Sequence, residues 1–188
     1  MSEYSVRYRD KVQDRGVGVN VGYTIVKGDI TEFKGDIIVN ASNGVGYMGG
    51  FIGKYIKLKG VAEAIHYKTK GIVEREAKEA CGMTRFINWR TRNGIKAGEV
   101  FVTRAGNLQV KHIIHAITMP FPGMTTGLGV VQELLPKICE KARELGAKTV
   151  AIPLLGTGTG GVPKEDVLKM FEEFFSKVSD LEVKIIVL

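Results

Sequence analysis

The chain has 188 residues, the length of a single domain, since domains run to roughly 100–200 residues. Hydrophobic residues at 44% and charged residues at 25% lie near globular averages and exclude a disordered or collagen-like chain. There is no apolar run of the roughly 18 residues a membrane span needs, and the opening MSEYSVRYRD lacks the apolar centre of a signal peptide. Two cysteines are too few for a disulfide framework or a zinc site, so a reducing, cytoplasmic setting is expected. Lys and Arg number 27 against 20 Asp and Glu, for a net charge of +7. That excess favours anionic partners, phosphorylated small molecules and nucleic acid included. The basic residues are scattered, however, and read first as solvated surface. Few glutamines beside many Lys and Glu suggest a thermophile.

In chain order, Tyr4–Arg9 alternates in polarity and reads as an edge strand within an N-terminal extension, residues 1–20. A domain then fills 21–188. Short β-branched runs at Val21–Val26, Ile37–Asn40, Val100–Thr103, Ile113–Ile117, Val150–Pro153 and Val183–Leu188 predict strands. Several are apolar at consecutive positions, as in strands covered on both faces. Between them Val61, Ile65, Ile72, Ala77 and Cys81 recur at helical spacing. Val131, Leu135, Ile138, Ala142 and Leu145 do so again, with Gly146 as the stop. Pro136 inside that second pattern predicts a kink or a boundary. A third helix opens at Pro163 and lines up Val167, Phe171, Phe174 and Val178. Strands alternating with helices predict a three-layer α/β/α sandwich with a central mixed, largely parallel sheet.

Two glycine clusters each follow a strand. The first is Asn40-Ala-Ser-Asn43-Gly44-Val-Gly46-Tyr-Met-Gly49-Gly50; the second is Gly156-Thr157-Gly158-Thr159-Gly160-Gly161. Ligands of open α/β sheets bind outside the carboxyl ends of the strands, and glycine there lets amides turn toward phosphate oxygens. Gly158 is expected to present its amide at positive φ. Each cluster holds G-x-G-x-x-G spacing, which alone is weak; Glu63 lies near the offset of a dinucleotide-fold acid, yet Asn40–Asn43 separate strand from glycines. Two such loops better fit opposite sides of one diphosphate. Asp29, in Gly28-Asp29-Ile30-Thr31, is as readily a turn residue as an acceptor for an exocyclic amine.

These residues resemble the macro domain family. The likeness rests on Gly28–Thr31, Ile38-Val39-Asn40-Ala41-Ser42-Asn43 with the first glycine loop, Gly98-Glu99-Val100 with Thr103–Leu108, and Ile113–Ala116. Ile152–Gly158 and Gly160-Gly161-Val162-Pro163 complete it. The resemblance implies an ADP-ribose ligand, free or on protein, or a relative such as O-acetyl-ADP-ribose or ADP-ribose-1″-phosphate. It implies that Asp29 accepts from the adenine amine beside the Ile30 amide, and that Asn43 reaches the distal ribose. The diphosphate would be wrapped by Gly46, Gly49 and Gly50 on one side and Gly156, Thr157, Gly158, Thr159, Gly160 and Gly161 on the other.

The family's frequent second-loop aromatic is replaced at about Gly160, and the aromatic that stacks adenine beyond the last strand is missing. A hydrolytic branch uses an aspartate after the first loop, but no Asp or Glu occurs between Asn43 and Ala62. The resemblance therefore predicts binding, with hydrolysis slow or undetectable and Asn43 the catalytic candidate. No cofactor, metal or membrane partner is expected. The rivals are a hydrolase at the same site and an RNA-associated module, the latter resting on Trp89 among basic residues. His115 reads as a packed core histidine, and Cys81 and Cys139 as inert core thiols. Tyr47, Met48 and Phe51 either cap a ribose or pack beneath the loop.

Overall fold

The computed structural model describes residues 22–56, 58–83 and 94–187. The predicted Tyr4–Arg9 strand and Trp89 lie outside the described residues. Six strands form one sheet: β1 (Tyr23–Lys27), β2 (Ile37–Asn43), β3 (Val100–Arg104), β4 (His112–Met119), β5 (Thr149–Pro153) and β6 (Glu182–Val187). Their order is β1-β6-β5-β2-β4-β3. All neighbours are parallel except β3 and β4, so the sheet is mixed and largely parallel as expected.

The apolar runs follow from coverage of both faces. Ile37 and Val39 turn to a core shared with α4 (Leu128–Glu144) and α5 (Lys164–Phe175), where Leu134, Leu135 and Phe171 are buried. Ile38, between them, turns to the opposite core, with Ile65 of α2 (Val61–Lys68), which follows the single-turn α1 (Gly50–Gly53), and Val73 and Ala77 of α3 (Ile72–Ala80). Alternate residues thus feed two apolar layers, and no polar face remains on the central strands.

Three elements differ from expectation. The run from Val61 to Cys81 is two helices, because the chain breaks at Thr69–Gly71, where Lys70 and Gly71 both take positive φ (50° and 82°). Pro136 lies within α4 and marks no boundary. It is exposed, so the Gln132 carbonyl that its ring leaves without a helical donor faces water. Strand β2 continues through Asn43 rather than ending at Asn40, with a register shift at Ser42/Asn43. Two bonds cross to β4 there: the Asn40 amide donates to His115 Nδ1 at 3.1 Å, and Thr118 Oγ1 donates to the Ser42 backbone carbonyl at 3.2 Å. Gly44 therefore follows the strand directly.

Candidate functional site

The carboxyl ends of β2, β4, β5 and β6 open into a cavity of about 1180 Å³. It is lined by Asn43, Tyr47, the turn Gly60–Glu63 that begins α2, and Gly156–Gly160. Lys27 and Lys164 also line it. A second cavity of about 480 Å³ is lined by Asp29, Ile30, Leu58 and Lys59. The two share Gly60, Val61, Pro153 and Ile186, so they are adjoining compartments over one sheet edge.

Asp29 caps a short 3-10 turn, Ile30–Glu32. Its Oδ1 accepts from the Thr31 amide at 2.9 Å and from Thr31 Oγ1 at 2.7 Å. The turn role is therefore filled, in a position that also faces the smaller cavity.

Asn43 is nearly buried, and its side chain is committed to the loop it opens. Nδ2 donates to the Tyr47 carbonyl at 2.7 Å, while Oδ1 accepts from the amides of Tyr47 (3.1 Å) and Val45 (3.3 Å). Of the aromatic flank, Met48 packs beneath the loop with no exposure, Tyr47 lines the cavity, and Phe51 is exposed.

The first-loop glycines answer to protein rather than to open space. A β carbon at Gly46, whose φ is 68°, would stand 2.6 Å from the Ala77 carbonyl. Gly46, Gly49 and Gly50 line neither cavity. The loop is held instead from below by Glu74, whose Oε2 accepts from the amides of Met48 (3.1 Å) and Gly50 (2.9 Å). His66 Nε2 donates to the Gly50 carbonyl at 2.7 Å, and its Nδ1 lies 3.2 Å from Glu74 Oε2. Burial pushes the Glu74 carboxyl up, but the Lys78 ammonium and the Gly50 amide outweigh it, and the net shift is downward.

In the second loop Gly156, Thr157, Gly158, Thr159 and Gly160 line the larger cavity, and Gly161 does not. The positive φ expected at Gly158 falls instead on Gly156 (74°) and Gly161 (77°). A β carbon on Gly158 meets nothing within 4 Å, so the position is open.

His115 is fully buried. Thr103 Oγ1 lies 2.9 Å from Nε2 and itself donates to the Arg104 carbonyl. With the Asn40 amide donating to Nδ1, the ring proton sits on Nε2 and points to Thr103. Burial pushes its pKa down to about 3, which holds the ring neutral, stacked 4.4 Å from Phe101. Burial pushes the Cys81 thiol up to about 12 and the Cys139 thiol up to about 11, so both are poor nucleophiles. Among the described residues no His, Cys, Asp and Glu grouping could hold a metal ion, and no helix is long and apolar enough to cross a membrane.

A family model for the macro domain matches residues 39–171, which contain the first loop, the central strands and the second loop. The chain belongs to the macro domain family. An uncharacterized protein of Aquifex aeolicus is 37% identical over 153 residues, covering 81% of this chain and 80% of that one. The macrodomain of Mycobacterium tuberculosis DarG superposes with a TM-score of 0.70 at 26% identity, over 88% of this chain and 97% of that chain. An Oceanobacillus iheyensis macrodomain mutant with ADPR gives a TM-score of 0.68 at 22% identity, over 90% of this chain and 87% of that chain, and so shares the fold.

In this macro domain the His66–Glu74 brace carries no sequence signal, because its members sit on separate helices whose approach depends on the break at Lys70. Glu63, which the sequence marks only by its offset from the first glycine cluster, lines the larger cavity.

Proposed function

We propose that this macro domain binds the ADP-ribose unit, free or attached to protein. The observation that carries the reading is the pair of adjoining cavities, one bearing Asp29 and the other a glycine-rich wall and two lysines. A ligand with a base at one end and a sugar diphosphate at the other matches that division. The base takes the Asp29 compartment, where a carboxylate accepts from an exocyclic amine beside the Ile30 amide. The diphosphate runs along Gly156–Gly160, where amides and the Lys27 and Lys164 ammonium groups favour anions. The terminal ribose lies toward Asn43 and Tyr47. The presence of ADPR in the Oceanobacillus iheyensis macrodomain supports the same ligand class.

Titrating ADP-ribose, AMP and a short RNA into the protein by calorimetry tests the reading. Saturable ADP-ribose binding, weaker AMP binding and no heat from RNA are expected. Binding of RNA without ADP-ribose would replace it with the RNA-associated reading.

A further inference from the structure

Six of the nine exposed large apolar side chains among the described residues fall between Tyr47 and Leu58. Single exposed apolar residues are ordinary, but a contiguous cluster marks a surface that something covers. Its centre is α1 and the turn after it, where Phe51, Ile52, Tyr55 and Ile56 are 76%, 60%, 68% and 58% exposed. The turn is founded on Gly53, which is buried against His66: a β carbon there would lie 2.8 Å from the ring's Cδ2. The Tyr55 and Ile56 amides both donate to the Ile52 carbonyl at 3.0 Å and carry the turn on to Ile56. The Phe51 and Tyr55 rings meet edge to face with centroids 5.4 Å apart, so the outward side chains prop one another. The cluster adjoins the crevice without forming it. Tyr47 and Leu58, at its ends, line the larger and the smaller cavity, while Phe51, Ile52, Tyr55 and Ile56 line neither.

Shape and charge together describe the partner. Phe51 and Ile52 are consecutive, as are Tyr55 and Ile56, and consecutive residues of a helical turn point about 100° apart. All four are exposed, so the turn stands clear of the protein on more than one side. A rigid, flat partner face covers one side of such a turn; the soft boundary between water and hydrocarbon surrounds it. The surrounding charge is positive. Residues 44–61 include Lys54, Lys57 and Lys59 and no Asp, Glu or Arg. Among the described residues Lys54 and Lys59 enter no ion pair. Lysines among exposed Phe, Tyr, Ile and Leu match an anionic lipid surface. The apolar tips enter the acyl boundary, while the Tyr55 hydroxyl and the ammonium groups stay among the headgroups. Nucleic acid fits less well, since Ile52, Ile56 and Leu58 have no ring face to stack on a base and no arginine stands among them.

We propose that α1 and the turn to Ile56 form a docking surface for an anionic lipid bilayer, with Phe51, Ile52, Tyr55 and Ile56 entering the interface. Docking of this kind needs no spanning segment, so the lack of one, on which the expectation of no membrane partner rests, does not oppose it. The inference is independent of the ADP-ribose reading.

The test is sedimentation of the protein with vesicles of phosphatidylcholine alone and of phosphatidylcholine mixed equally with phosphatidylglycerol. Wild type is expected to sediment with the mixed vesicles. Each lysine at an anionic surface is worth about fivefold in partitioning, so binding to the neutral vesicles should be at least about tenfold weaker. Phe51→Ser, Ile52→Ser, Tyr55→Ser and Ile56→Ser combined should weaken binding to the mixed vesicles by about tenfold or more, with the melting temperature unchanged. If the combined variant melts lower, Phe51→Ser alone, at the most exposed of the four positions, replaces it, with a loss of about threefold or more. A wild type that stays in solution with both vesicles overturns the inference. So does a variant that sediments like wild type, which would leave only the diffuse charge of +7. Dimerisation or short-RNA binding that the variant loses, without vesicle binding, would give the surface to a second copy or to RNA and overturn it as a lipid surface.

Discussion

Asn43 clasps both backbone groups of Tyr47: its amide donates to the Tyr47 carbonyl at 2.7 Å while its carbonyl accepts the Tyr47 amide at 3.1 Å. The side chain thereby closes the turn in which β2 becomes the first loop and sets Tyr47 on the cavity wall. Removing it leaves the buried Val45 amide and the part-buried Tyr47 backbone groups without this partner, which costs roughly 1–3 kcal/mol. Asn43→Ala is therefore expected to melt several degrees lower and to bind ADP-ribose more weakly. Amide exchange at Val45 and Tyr47 should also accelerate. A variant with unchanged melting and exchange would show that Asn43 acts on the ligand alone.

The two loops should respond oppositely to side chains. Gly158→Val adds atoms in open space at a cavity-lining position without positive φ, so its melting temperature should match wild type while ADP-ribose affinity falls at least about tenfold, or 1.4 kcal/mol. Gly46→Ala should instead destabilise the fold, since its β carbon meets the Ala77 backbone at 2.6 Å and φ is 68°. Full affinity in Gly158→Val would take this part of the loop out of the site.

The fold was legible because both faces of the sheet are covered, which leaves Ile37–Val39 and Ile113–Ile117 as unbroken apolar runs. The last residues of β2 were not, because Ala41–Asn43 look like the start of a loop until their pairing with β4 is seen to run on to Asn43, with the Thr118 hydroxyl donating to the Ser42 carbonyl. The glycines of the first loop were visible, but their cause was not: spacing cannot tell an amide turned to phosphate from a backbone pressed on a helix, as at Gly46. The second loop lines the larger cavity, with its conformational demand displaced from Gly158 to Gly156 and Gly161. Pairing of Glu74 with the Met48 and Gly50 amides spans more than twenty residues, beyond any local pattern.

Asp29 serves both the turn and, on the reading proposed, the base, and ligand choice separates the two. Losing the cap to Thr31 costs about 1 kcal/mol; losing a charge-assisted bond to adenine costs roughly 1.5–3 kcal/mol. Asp29→Ala should thus weaken ADP-ribose by about 10- to 150-fold and leave ribose-5-phosphate, which has no adenine, nearly unaffected. Equal losses for the two ligands would confine Asp29 to the turn.

Acid stability should depend on Asp36, at the sheet edge opposite the site. Its backbone carbonyl accepts the Lys111 and His112 amides at the start of β4. Its Oδ2 accepts the Lys148 and Thr149 amides at 2.9 and 3.1 Å where β5 begins. The Lys111 ammonium, 2.7 Å from Oδ1, holds the carboxyl well below the usual range, helped by the Lys148 and Thr149 amides and opposed by burial. An unfolded aspartate takes up its proton near pH 3.9, by the usual reference of about 3.9. The contribution to folding is complete above that value and is lost as pH falls through the lower, folded one. Asp36→Asn should therefore melt lower than wild type at pH 7, by a gap that holds down to about pH 5 and closes progressively below about pH 4. Salt at about 1 M should shrink the gap only partly, because the Lys111 side chain is 71% exposed while Asp36 is 16% exposed and keeps its amide donors. Melting curves of both proteins between pH 2 and pH 7 (a range set by the linkage argument, roughly) provide the measurement. A gap that stays constant to the acid end would mean that the ionised carboxylate is not what joins these strands.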